Sequence, residues 1–241
     1  MGQPFTPAGR LRALAACAAR RPFFTLLLIA AFAAFCLVGR FLFWPPVDYL
    51  AAVAPESTAF MEYREDQWRA EGKNIRLRYT WTPLERISAY LRRAVVEAED
   101  ARFYEHPGFD WQAMREALDK NLRRGRIAAG GSTITQQLAK NLFLSPEKSV
   151  LRKLQEAVLV CRLELALSKD RILELYLNVA EWGVGVFGAE EAARRYFGVS
   201  AAALTPRQAA TLAAMLPSPL RYSPGSGFVQ RRAARIERAI R

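Results

Sequence analysis

Thr82-Pro83-Leu84-Glu85-Arg86-Ile87-Ser88-Ala89-Tyr90-Leu91-Arg92-Arg93-Ala94-Val95-Val96-Glu97-Ala98-Glu99 carries a helix start and a helix face in one run. A hydroxyl for the N-cap, a proline for the first helical position and a glutamate for a capping box come first. Leu84, Ile87, Leu91, Ala94 and Val95 then share one face, which predicts a helix up to Glu99. The same periodicity continues downstream. Trp111, Met114, Leu118 and Leu122 mark a basic amphipathic helix with Arg115, Lys120, Arg123, Arg124 and Arg126 interspersed, stopping at Gly130-Gly131. Ser132 and Thr133 offer caps for a helix through Phe143. Ser145-Pro146 reads as the start of another that passes Arg152, Glu156, Val160 and Leu163 toward Leu167. Further helices are predicted over Asp170 to Asn178, Ala189 to Phe197 and Thr205 to Met215, with a glycine-spaced turn over Gly183 to Gly188. Pro217, Pro219 and Pro224 break the chain beyond Met215. Upstream, Ile75 to Trp81 alternates like a short strand, and Pro45 to about Glu71 reads as a polar, irregular connector. The fold class is mainly α, with one domain over residues 80–241 and a connector over 45–79.

The N-terminus is of another kind. Pro22 to Gly39 holds no charged residue, and after Arg40 the apolar character resumes as Phe41-Leu42-Phe43-Trp44. This is close to the roughly 20 residues a spanning helix needs, so 22–44 is predicted to be a transmembrane anchor. Arg10, Arg12, Arg20 and Arg21 precede it, whereas Arg40 is the only base between it and Arg64. That bias puts residues 1–21 in the cytoplasm and the remainder outside. A cleaved signal peptide would have a shorter apolar run closed by small residues; here Phe35 and Cys36 interrupt, and Phe41 to Trp44 suits an interfacial anchor. A buried core helix is the other alternative.

The chain has 241 residues and a net charge of +12, enough for one domain with an appendage and for attraction to anionic partners. An outward-facing domain has little access to nucleic acid, so the charge serves lipid or phosphate. Cys17 and Cys36 lie in or beside the apolar segment, which leaves Cys161 alone in the domain and excludes a disulfide framework. A single histidine, His106, and no paired cysteines argue against a zinc site.

Three clusters can carry chemistry. Glu97, Glu99 and Asp100 end an apolar helix and run into Arg102, Phe103, His106 and Gly108. A carboxylate beside apolar groups has the raised pKa a general base needs, although acidic helix ends are more often simply solvated. Gly130-Gly131-Ser132-Thr133-Ile134-Thr135-Gln136-Gln137, with Lys140 one to two turns on, places N–H groups, hydroxyls and amides where phosphate or sugar oxygens are attracted. The plainer reading is a capped helix after a flexible loop, and no Walker lysine comes after it. Arg152, Lys153 and Glu156 form the third cluster, which by itself reads equally as a surface ion pair. Ser145-Pro146-Glu147-Lys148 matches a Ser-x-x-Lys nucleophile motif, but no Lys-Thr-Gly is found downstream and the proline fits a helix start.

Taken in order, these clusters resemble the peptidoglycan glycosyltransferases of family 51. Glu99-Asp100-Ala101-Arg102-Phe103-Tyr104-Glu105-His106-Pro107-Gly108 is similar to the first signature, and Gly130 to Asn141 to the second. Arg152-Lys153-Leu154-Gln155-Glu156 is similar to the third, and Lys169 to Asn178 to the fourth. Ala192 to Gly198 and Ala209 to Pro219 complete the set, so the resemblance spans about residues 80–220. Too little chain remains after it for a transpeptidase domain, and Glu181 to Gly188 points the same way, so the monofunctional biosynthetic branch is expected. Lys148 stands where some relatives carry arginine, which keeps the charge and loses the bidentate fork.

The resemblance implies a lysozyme-like helical fold and polymerisation of lipid II into β-1,4 glycan strands, with inversion and release of undecaprenyl pyrophosphate. It makes Glu99 the base and Glu156 the second catalytic carboxylate. Lys140, Lys148, Arg152 and Lys153 become the pyrophosphate clamp, while Ser132, Gln136, Asn141, His106 and Arg102 become further substrate-binding residues. No cofactor is required; a divalent cation, Mg or Mn, is compatible with the pyrophosphate. Implied partners are lipid II, the growing strand, membrane lipids and other cell-wall synthesis or division proteins. The implied place is the bacterial inner membrane, single-pass, with the catalytic domain periplasmic. Trp111 to Arg126 would lie against the membrane, or else pack on the core. A lytic enzyme of the same fold and a noncatalytic wall-binding scaffold are the competing readings.

Overall fold

A computed structural model describes residues 7–125, 130–147 and 149–241, with the backbone alone for 7–21 and Val38. Two compact units divide at Trp44/Pro45. The first holds helix α1 (Pro7–Gly39) and a 3-10 turn, Arg40–Leu42. Within it, Pro22–Leu42 forms a 21-residue stretch of mean hydropathy 2.3, long and apolar enough to cross a membrane, with Phe41 near its end buried.

The second unit is mainly α. Helix α2 (Ala59–Ala70) lies inside the stretch expected to be an irregular connector. Thr58 Oγ1 caps it by accepting the Met61 N–H at 3.2 Å, and Phe60, Met61 and Trp68 are buried. The surrounding charged residues masked this apolar stripe in the sequence. Of the strand expected over 75–81 only β1 (Arg78–Tyr79) forms, and the helix expected from Thr82 breaks in two. Leu84–Arg86 makes a 3-10 turn, and helix α3 (Ala89–Glu99) starts afresh behind Ser88. Tertiary partners cause the break: the Leu84 N–H goes to Glu174 Oε1 at 3.2 Å and the Ser88 N–H to the Ala201 carbonyl at 3.0 Å.

Asp110 caps α4 (Trp111–Arg124), which Gly125 closes in the left-handed region. No α4 residue is buried, and Trp111, Leu118 and Leu122 are well exposed. Thr133, not Ser132, caps α5 (Ile134–Phe143). Ser149, not Ser145, caps α6 (Val150–Ala166), and Ser168 caps α7 (Lys169–Val179). The glycine-spaced turn is a hairpin of β2 (Glu181–Gly183) and β3 (Val186–Phe187), with β1 parallel to β3. Helices α8 (Ala189–Phe197) and α9 (Pro206–Met215) form as expected. Helix α10 (Gly227–Ile240), which the sequence reading left out, buries Val229, Ala233, Ile236 and Ile240 against α9 and α3.

Asn178 ties the segment after β1 to α7. Its amide oxygen accepts the Thr82 N–H at 2.8 Å, and its amide nitrogen donates to the Thr82 and Glu174 carbonyls at 2.9 and 2.8 Å. Gly188 crosses this point at φ +88°, where a Cβ would come within 2.8 Å of the Asn178 carbonyl oxygen.

Candidate active site

Glu99 ends α3 at the edge of a cavity of about 880 Å³ bordered by α2, α5, the segment after α9, and α10. Its side chain is 11% exposed. Gln137 Nε2 donates to one carboxylate oxygen at 3.0 Å, and Arg232 Nη2 donates to the other at 3.2 Å. Burial pushes the Glu99 carboxyl up, with the Gln137 hydrogen bond and the Arg232 charge opposing it. Behind Gln137, the Tyr176 hydroxyl donates to its amide oxygen at 3.0 Å, which fixes the amide orientation. Burial, then the Glu99 charge, holds that phenol well above its usual range, so it remains a donor. Burial raises the proton affinity of this carboxylate, which is what a general base requires.

Across the cavity the charge is positive. Arg64, Lys120, Lys140, Arg232 and Arg235 line it, against Glu99 and Glu181. Lys140 stands over the Phe60 ring at 5.9 Å. Burial lowers its ammonium pKa, and the Glu156 carboxylate offsets part of that. Glu156 is buried, with Arg152 on one oxygen at 2.8 Å and Lys153 on the other. It gathers cations behind Lys140. Such a set attracts an anion with several charged oxygens, and among the described residues it gives a divalent cation no carboxylate free of basic partners.

A third group braces the loop after α3. Asp100 Oδ1 meets His106 Nε2 at 2.9 Å, and Asp100 Oδ2 accepts the Ile134 N–H at 3.0 Å. Arg102 pairs with Asp110, Nε to Oδ2 at 3.0 Å, while Asp110 Oδ1 caps α4. Asp100, His106 and Asp110 come close enough to share a metal ion. Their carboxylate oxygens are committed to His106, Arg102 and backbone N–H groups, and a guanidinium beside them disfavours a cation. Gly108 completes the brace at φ +92°, where a Cβ would strike Val160 Cγ1 at 2.5 Å.

Residues 69–240 match the family model described as Transglycosylase. The chain belongs to the transglycosylase family. It is an enzyme that transfers glycosyl groups. It is 59% identical over 168 residues to a biosynthetic peptidoglycan transglycosylase of Aromatoleum aromaticum, covering 70% of this chain and 73% of that one. It is 53% identical over 211 residues to a protein of the same name from Azoarcus sp., covering 88% and 90%. A third so named, from Neisseria meningitidis, is 48% identical over 191 residues, covering 77% and 82%.

In this transglycosylase the residues singled out in the sequence divide. Glu99, Ser132, Lys140 and Asn141 line the cavity. Arg152, Lys153 and Glu156 form one ionic group whose charges reach Lys140. Arg102 and His106 do not line the cavity and sit in the brace. Gln136 is also placed elsewhere: its side-chain oxygen accepts the Thr133 N–H at 3.0 Å in a buried capping box. Lys148 lies outside the described residues. The sequence reading missed Arg64, Gln137, Tyr176, Glu181, Arg232 and Arg235. Tyr176 and Gln137 stood inside the quoted motifs without a role. Arg232 was recoverable from the i, i+4, i+7 spacing of Val229, Ala233 and Ile236 beyond Pro224.

Proposed function

We propose that this enzyme polymerises lipid II, the lipid-linked disaccharide-peptide precursor, into β-1,4 glycan strands of peptidoglycan and releases undecaprenyl pyrophosphate. The observation that carries this reading is a buried carboxylate, Glu99, facing a cavity lined by cations. Glu99 takes the proton of the acceptor 4-hydroxyl as its oxygen bonds to the anomeric carbon of the donor. The bond from that carbon to the pyrophosphate breaks on the opposite face, giving inversion, and the electron pair leaves with the phosphate. Negative charge grows there, so Lys140 and the cations held by Glu156 stabilise the transition state more than the ground state. Ser132 and Asn141 border the same space and are assigned to sugar and phosphate oxygens.

The same substrate dictates the topology. Residues 22–44 anchor the chain in the inner membrane, 1–21 remain cytoplasmic, and 80–241 act in the periplasm. Residues 45–79 join the two and add α2 to the cavity wall. Trp111, Leu118 and Leu122, exposed on basic α4, meet the lipid surface where a substrate with a long lipid tail is collected.

Incubation of the full-length protein in detergent with lipid II tests this, with products resolved by length. Long glycan strands are expected. No polymer would defeat the reading, and shortening of preformed strands would install the lytic alternative.

A further inference from the structure

Arg232 comes from the last helix of the chain to the last turn of α3. Its Nη2 donates to two acceptors at once: the Ala98 carbonyl at 2.8 Å and Glu99 Oε1 at 3.2 Å. The Ala98 carbonyl belongs to a helix end, where carbonyls have no partner within the helix. One guanidinium therefore closes the helix end and grips the carboxylate. Its neighbours on α10, Val229, Ala233 and Ile236, are buried, while Arg235 points with it toward the cavity. Arg232 is 19% exposed at the side chain, so solvent screens the contact weakly.

We propose that Arg232 is a positioning residue for glycosyl transfer: tethered to Ala98, it turns the Glu99 carboxylate toward the acceptor hydroxyl and makes the base depend on docking of the C-terminal helix. This rests on the reading of Glu99 as the base. A carboxylate offers about four lone-pair sites. Arg232 and Gln137 use one on each oxygen, which stops the group rotating and leaves a site on each for the incoming proton. The guanidinium also holds the carboxylate in its ionised form against burial, which pushes the other way. Without Arg232 the carboxyl titrates higher, so the enzyme loses its base at a higher pH.

Initial rates of lipid II polymerisation by the full-length enzyme, measured across pH, test this with Arg232→Gln, Arg232→Met, Arg232→Lys and Glu99→Gln. Arg232→Gln is expected to move the acid limb of the profile up by about one pH unit, most of the rate returning on the alkaline side. Arg232→Lys keeps the charge and is expected to leave the limb near its wild-type position. Arg232→Met retains the aliphatic stem and gives the same readout should the glutamine variant melt far below wild type. A rate lowered by one factor at every pH, with the limb unmoved in both neutral variants, would reduce Arg232 to a structural tether and overturn the inference. Activity retained by Glu99→Gln would instead defeat the reading of the base.

Discussion

Asp100 Oδ2 accepts the Ile134 backbone N–H at 3.0 Å, joining the end of α3 to the start of α5. This one bond sets Glu99 against Gln137 and Lys140, since the first two residues are consecutive and the others ride on α5. It also satisfies an N–H at a helix N-terminus with a buried carboxylate, where the helix dipole favours negative charge.

Asp100→Ala should therefore lose more than a side chain. A buried N–H left without a partner costs about 1–3 kcal/mol, so a lowered thermal melt and a lowered turnover are expected together. Unchanged melting with full turnover would remove Asp100 from the account.

Burial of Glu99 has a consequence for stability. Its carboxyl titrates above the ordinary 4.5 in the folded protein, so the protonated form is the better tolerated one. Its contribution is fully present below the unfolded value and is lost as pH rises through the folded value. Glu99→Gln should melt above wild type at neutral pH, the gap closing toward pH 4.5. A gap that widens on acidification would contradict the assignment.

Gln136 and Gln137 should part company. Gln136→Ala opens the capping box and is expected to cost about 1 kcal/mol of stability, with turnover per folded molecule little changed. Gln137→Ala frees one oxygen of Glu99 and is expected to lower turnover with a smaller effect on melting. Comparison of kcat with the melting temperature checks both.

Lys140→Ala should slow turnover more than it weakens substrate binding, because the charge matters most as the leaving group departs. Loss of one such donor typically costs roughly 100- to 1,000-fold in kcat. Weakened binding with unchanged kcat would make Lys140 a ground-state contact only.

How much of this was legible in the sequence depended on where each residue's partner lay. The helices around Trp111 to Arg124 and Pro206 to Met215 carry their caps and periodicity locally and start where the sequence placed them, although the first closes at Gly125, ahead of the stop expected at Gly130-Gly131. The break after Arg86 was not legible, because Glu174 and Ala201, far along the chain, supply the bonds that make it. Gln136 and Gln137 are adjacent in sequence but about 100° apart on a helix, so the motif named the turn without naming the face. Helix α10 was hidden by Pro217, Pro219 and Pro224, read only as breaks in the chain beyond Met215, and with it went Arg232.

The most direct test is polymerisation of lipid II by Glu99→Gln beside Glu156→Gln, each with a thermal melt. Glu99→Gln keeps shape and removes basicity, and loss of a general base typically removes a factor of roughly 100 to 10,000. Glu99→Gln is expected to abolish strand formation while remaining folded, and Glu156→Gln, which only loosens the cation cluster, to keep measurable activity. Near wild-type polymerisation by Glu99→Gln, with all activity lost in Glu156→Gln, would contradict the assignment and exchange the two roles.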